Sequence, residues 1–130
     1  MVVERITEIY VILENKPSVL GELCTTLAES NINIEAIGVF HDSAKLAVQP
    51  KDLNNAVKLL GKLNYITELR DVLRVDLENK PGALADVTTK LGDEGVNIEY
   101  CYGTLSRKGS TVSVIIDVND IDRALGILAG

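Results

Sequence analysis

The chain has 130 residues, room for one ordinary domain or two very small ones sharing a core, and its 46% apolar content without Trp and with one Phe requires a core of Val, Ile, Leu and Ala. A net charge of −6, with charges interspersed and no basic patch, argues against a nucleic-acid partner. No apolar stretch approaches the roughly 20 residues that span a bilayer, and Met1-Val2-Val3-Glu4-Arg5 lacks a signal peptide's charged head and long apolar run, so no membrane partner and a cytoplasmic location are expected.

Residues 6–13 alternate, with Ile9, Val11 and Leu13 on one face, which predicts a strand half-buried against a core. Residues 17–30 carry Leu20, Leu23, Cys24, Leu27 and Ala28 at helical spacing. Asn31 then stands where a helix end favours a left-handed residue. A strand over 32–40, a turn at His41-Asp42-Ser43 and a strand over 44–49 follow. Pro50 and Asp52 open a second helix with the stripe Leu53, Ala56, Val57, Leu60 and Leu63, and 65–69 reads as a short fourth strand.

From Val72 the series begins again. Leu73, Val75 and Leu77 repeat the buried strand face, Leu84, Val87 and Leu91 the helix, 96–105 and 111–118 the strand pair, and Asp120 caps a final helix with Ile121, Ala124, Leu125 and Leu128 facing in. An offset of 64 aligns residues 13–37 with 77–101 without a gap, repeating Leu-Glu-Asn-Lys-Pro at 13–17 and 77–81 and Asn-Ile-Glu at 33–35 and 97–99. Gly95 matches Asn31, and the hairpin at Ser106-Arg107-Lys108-Gly109-Ser110 is longer than in the first copy. This is an internal duplication. The few residues between the second and third strands force a hairpin and exclude a doubly wound parallel sheet. The expected fold is therefore α+β, two ferredoxin-like βαββαβ units in tandem at 1–70 and 71–130, each an antiparallel sheet with helices on one face, the second lacking its last strand.

Each Asn-Lys-Pro sits at a strand-to-helix turn, where the first helical N–H groups lack partners and the positive end of the helix dipole suits an anion. In the plain structural reading, Asn15 and Asn79 cap the helices and Pro17 and Pro81 fill the first helical position.

Asn79-Lys80-Pro81-Gly82-Ala83-Leu84 followed by Gly95-Val96-Asn97-Ile98, with Asn15-Lys16-Pro17-Ser18-Val19-Leu20 and Asn31-Ile32-Asn33-Ile34 in the first copy, resembles the ACT domain, a small regulatory amino-acid-binding domain. The likeness covers nearly the whole chain, and its order and spacing resemble short stand-alone proteins of two ACT domains. It implies a ligand where two ACT domains meet. Asn15 and Asn79, the strand-opening Asn33 and Asn97, and the backbone at Pro17, Ser18, Val19, Leu20, Pro81, Gly82, Ala83 and Leu84 would hold the amino acid. Leu13 and Leu77 stand where some serine-binding members carry His, so serine is not implied. Ser18 replaces the glycine that lets a ligand approach, so the second loop is the better expected site.

No catalytic residue, metal site or cofactor is expected. One histidine, His41, cannot make a multi-ligand site and reads as a solvated turn residue. Cys24 and Cys101 read as buried free thiols, Glu14 and Glu78 as strand-end carboxylates bordering the loops, and Tyr10, Tyr100 and Tyr102 as packing residues. The functional expectation is a non-catalytic sensor that binds a small amino acid and acts on a protein partner, with a pure interaction module as the alternative. The second repeat's first strand would lack a neighbour, a gap to be filled by a strand from the other repeat or from another molecule, and a homodimer built on strand pairing or sheet packing is expected.

Overall fold

The computed structural model describes residues 1–103 and 110–129. The expected hairpin insertion at 106–109, the end of the 96–105 strand and Gly130 lie outside them. The elements run β1 Val2–Ile12, α1 Val19–Glu29, β2 Ala36–Phe40, β3 Ser43–Ala47, a 3₁₀ turn Pro50–Asp52, α2 Leu53–Lys62, β4 Thr67–Glu78, α3 Ala83–Asp93, β5 Ile98–Gly103, β6 Thr111–Val118 and α4 Ile121–Ala129. The chain forms two compact units, Thr7–Arg70, and Met1–Ile6 together with the residues from Asp71 onward.

In the unit Thr7–Arg70 the strand order is β2-β3-β1-β4. Antiparallel pairing sets Ile9 opposite Leu46 and Ile12 opposite Ser43, while Phe40 also faces Ser43 across the two-residue turn His41-Asp42. Alternation then drives Ile9, Val11 and Leu13 into a core with Leu23 and Leu27 of α1 and Ala56 and Leu60 of α2. On the opposite face, Tyr10 lies between two cations, Lys45 Nζ at 5.0 Å and the Arg70 guanidinium at 4.2 Å from its ring centre. Asn31 has φ 58 and Gly95 φ 75, the left-handed helix ends expected from the sequence.

The other unit has the order β1-β4-β6-β5. Leu73 faces Ile116 and Leu77 faces Val112, β5 pairs with β6 with a bulge near Ile98, and Tyr100 stacks on Tyr102 at 6.3 Å. Leu73, Val75, Leu77, Val87, Leu91, Ile116, Ala124 and Leu128 form its core. Asp120 caps α4, its carboxylate accepting from the Arg123 N–H at 3.2 Å.

Among the described residues no fourth strand of the second repeat follows α4. The start of β1 takes that place: Met1–Ile6 belong to this unit, Val3 packs on its core, and Arg5 pairs with Asp122. The strand edge that motivated the expected dimer is thus occupied by the chain itself. Two strand expectations are corrected as well. β1 begins at Val2 rather than Ile6, and the strands read at 65–69 and from Val72 are one strand, β4, because no Gly, Pro or Asn interrupts 67–78.

Candidate functional site: the two strand-to-helix loops

The loops after β1 and β4 share one backbone. Ser18 (φ 77, ψ −16) and Gly82 (φ 90, ψ −16) both adopt the left-handed conformation as the residues preceding α1 and α3. The first intrahelical bonds are Glu22 N–H to Ser18 O at 3.0 Å and Asp86 N–H to Gly82 O at 2.9 Å. Neither helix has a side-chain cap, so Asn15 and Asn79 do not cap and Pro17 and Pro81 precede the helices. The N–H groups of Val19, Leu20 and Gly21 in α1, and of Leu84 and Ala85 in α3, precede those first bonds and are left for solvent or a ligand. Ala83 N–H makes a long bond to Lys80 O at 3.4 Å.

Serine therefore does not change the backbone of the first loop. It adopts the glycine conformation at a steric cost. Ser18→Gly is expected to stabilise the protein by up to about 1 kcal/mol, the left-handed penalty offset in part by the greater freedom of glycine when unfolded. Thermal melting checks this, and an unchanged or lower midpoint would contradict it.

Each loop carries an ion pair between alternate residues, Glu14–Lys16 at 2.8 Å and Glu78–Lys80 at 3.0 Å. The hydrogen bond, and then the opposite charge, hold both carboxyls below and both ammoniums above their usual ranges. Behind each loop lies a cavity within its own unit. One of about 400 Å³ is lined by Leu13, Glu14, Lys16, Val19 and Glu22, and one of about 270 Å³ by the matching Leu77, Glu78, Lys80, Ala83 and Asp86. They differ in their far walls. Tyr65 closes the first, its hydroxyl donating to Glu22 Oε1 at 3.1 Å and lying 3.4 Å from Val19 O, and burial followed by that carboxylate pushes the phenol up. Met1 lines the second.

The structure brings together part of the expected ligand set. Pro17, Ser18 and Leu20 are exposed, as are Pro81, Gly82 and Leu84, whereas Val19 and Ala83 are half-buried against the cores. Asn33 and Asn97 are at the other end of their own sheets. Because β2 runs parallel to β1, with Ile12 level with Phe40, Asn33 lies seven residues before Phe40, roughly 20 Å away at 3.3 Å per residue. Asn97 is tied to Asn119 instead, its N–H donating to Asn119 Oδ1 at 3.0 Å. One unit thus cannot put its own loop Asn and strand Asn on one ligand.

What does meet the first loop is His41. Asn15 Nδ2 lies 3.1 Å from His41 Nδ1. The sequence signal that could have found it is topological, since the hairpin after a strand parallel to β1 must return to the end where β1 finishes. Cys24 and Cys101 are free; Cys24 is half-buried, but Cys101 is exposed, which corrects its expected burial, because it points from the outer strand β5. The partial cover it has still pushes its thiol up. Among the described residues no cluster of His, Cys, Asp and Glu could hold a metal ion, and no helix is long and apolar enough to cross a membrane.

No curated protein matches the chain by sequence. Among solved structures, protein BT0572 of Bacteroides thetaiotaomicron is similar over 98% of this chain and 88% of its own, with 31% identity and TM-score 0.83. The regulatory subunit of aspartate kinase from Thermus thermophilus shares the fold over 98% of this chain and 93% of its own at 20% identity and TM-score 0.74. That from Thermus flavus does so over 98% and 92%, at 21% identity and TM-score 0.71. Residues 72–129 match the ACT domain family. With the same loop repeated in the first half, the chain belongs to the ACT domain family.

Proposed function

We propose that the protein is a non-catalytic regulatory sensor that binds a small amino acid at the loops Asn15–Leu20 and Asn79–Leu84 and conveys occupancy to a protein partner. The carrying observation is the duplicated loop itself, a left-handed residue before an uncapped helix, with N–H groups and a dipole end left open. Asn supplies a donor and an acceptor, enough to serve an ammonium and a carboxylate together. Since Asn33 and Asn97 are remote from the loops of their own units, a complete site of the family kind needs the strand-opening Asn of another ACT domain. The fold shared with proteins named as regulatory subunits supports a role in regulation. Assembly with a second copy belongs to this reading, and Ile37, Val39 and Phe40 are exposed on the outer strand β2.

A thermal-shift and calorimetric screen of the twenty amino acids tests the proposal. Saturable stabilisation by one or a few supports it, and none at millimolar ligand favours an interaction module. With charge-assisted bonds of roughly 1.5–3 kcal/mol each and about ten ligand atoms, affinity is expected between about micromolar and millimolar. Asn79→Ala is expected to weaken binding about tenfold, one such bond, while leaving stability nearly unchanged because Asn79 caps nothing. Gly82→Val acts through the backbone: nothing lies within 4 Å of an added Cβ, but φ is +90, which a branched residue resists. Parental affinity in both variants would exclude the second loop.

A further inference from the structure

We propose that His41 is a positioning residue for the Asn15 side chain, and that the charge on its imidazole decides which end of the Asn15 amide is offered to a ligand. The ligand part rests on the reading above that the loop binds an amino acid. The His–Asn coupling does not.

The placement follows from the register. β2 and β3 are joined by His41-Asp42 alone, and Leu13 N–H donates to Asp42 O at 2.9 Å, fastening the turn to the end of β1 where the loop begins. His41 takes φ 47, a left-handed conformation that His, Asn and Asp enter more readily than most residues. The two-residue turn between paired strands fixes the His41 backbone, from which the exposed side chain reaches the loop. Its Nδ1 is 3.1 Å from Asn15 Nδ2.

At that contact Asn15 Nδ2 facing Nδ1 goes with the Nε2–H tautomer of the neutral ring, and the coupling holds for that tautomer. A neutral imidazole protonated on Nε2 has a lone pair on Nδ1, which accepts an Asn15 N–H. An imidazolium carries a proton on both nitrogens, so Nδ1 can only donate, and only Asn15 Oδ1 can receive it. Protonation therefore turns the amide by half a rotation and exchanges the ends presented away from the ring. In the neutral state Oδ1 is free to accept from a ligand ammonium; in the charged state the NH₂ group is free to donate to a carboxylate. Imidazole is the side chain whose ordinary titration falls between pH 5 and 8.

The charged groups on the elements around His41 are few. Asp42 shares its turn, Glu14 and Lys16 in the facing loop offset one another at 2.8 Å, and Lys45 on β3 lies 4.6 Å over the Phe40 ring. The second loop is a built-in control. Its Asn79 is tied by the backbone, N–H to Ser110 O at 2.8 Å, and the chain holds no second histidine.

The test follows side-chain amide resonances of the ligand-free full chain from pH 5 to 8, in the parent and in His41→Asn, which keeps a residue suited to positive φ but does not titrate. The Asn15 NH₂ signals should inflect with the midpoint of the His41 ring, the Asn79 signals should not, and His41→Asn should abolish the inflection. Asn15 signals that ignore the His41 titration overturn the positioning role. The twenty amino acids are then titrated at pH 5.5 and 8.0 into the parent, into Asn79→Ala, which weakens the second loop about tenfold so that the first dominates, and into Asn79→Ala with His41→Asn. A first-loop affinity that changes about threefold or more between the two pH values, and no longer does so with His41→Asn, supports the ligand part. A flat profile beside coupled amide signals overturns that part and leaves the amino-acid reading intact, whereas no binding at either pH overturns both.

Discussion

Leu91→Ala is expected to cost about 2–5 kcal/mol of stability, and Leu27→Ala at the matched position the same. Both side chains are fully buried, one turn after Val87 and Leu23 on equivalent helices. Leu91 lies in the cluster of Leu73, Val75 and Ile116, Leu27 in that of Ile9, Val11 and Leu46. These cores are small and aliphatic, so a truncated side chain leaves a void that few neighbours can fill. Because the clusters are separate, hydrogen exchange should show protection falling first in 71–129 for Leu91→Ala and in 7–70 for Leu27→Ala. Urea unfolding gives the magnitude. A cost below about 1 kcal/mol in either variant would mean that its core is not packed as described.

Much of this architecture is readable from pattern. Alternation at Ile9, Val11 and Leu13 and its copy at Leu73, Val75 and Leu77 names the buried faces, and the Asn31 and Gly95 helix ends are left-handed as their chemistry requires. The length of β1 and β4 is not readable from one repeat, because a strand ends only where something stops it. Nothing stops the chain at 69–72, and Met1–Ile6 belong to the other unit, with Val3 packed on its core, which local periodicity does not reveal. With that in view the repeat extends back: Val2 corresponds to Ile66 and Glu4 to Glu68 at the same offset.

The backbone of the candidate loops was legible in the sequence, but the side chains that meet them were not. Lys-Pro at 16–17 and 80–81 marks the turns, yet the left-handed residue is one step later, and a serine carries it in the first copy. Side chains from distant positions meet only through register, which is why His41 reads as an isolated turn residue until β2 is set parallel to β1. The same register separates Asn33 from Asn15, a separation that a list of family positions cannot show.

Deleting residues 1–6 is expected to destabilise the unit from Asp71 onward by about 3 kcal/mol and to make the protein self-associate. Val3, partly buried on the second core, contributes less than about 1.5–3 kcal/mol, the value of a fully buried side chain, and each lost ladder bond about 1 kcal/mol more. The Arg5–Asp122 pair, at 2.6 Å but largely exposed, adds less than about 1 kcal/mol. Without its neighbour, β4 presents unpaired N–H and C=O groups over 71–78, an edge that recruits a strand from another copy. Light scattering should therefore show larger species than the parent, and exchange protection should fall along 71–78 while 43–47 stays protected. Asn79 follows directly after β4, so the amino-acid binding proposed for the second loop should weaken in the truncated protein more than that proposed for the first. If the truncated chain keeps parental stability within about 1 kcal/mol and full protection at 71–78, residues 2–6 do not act as the missing strand.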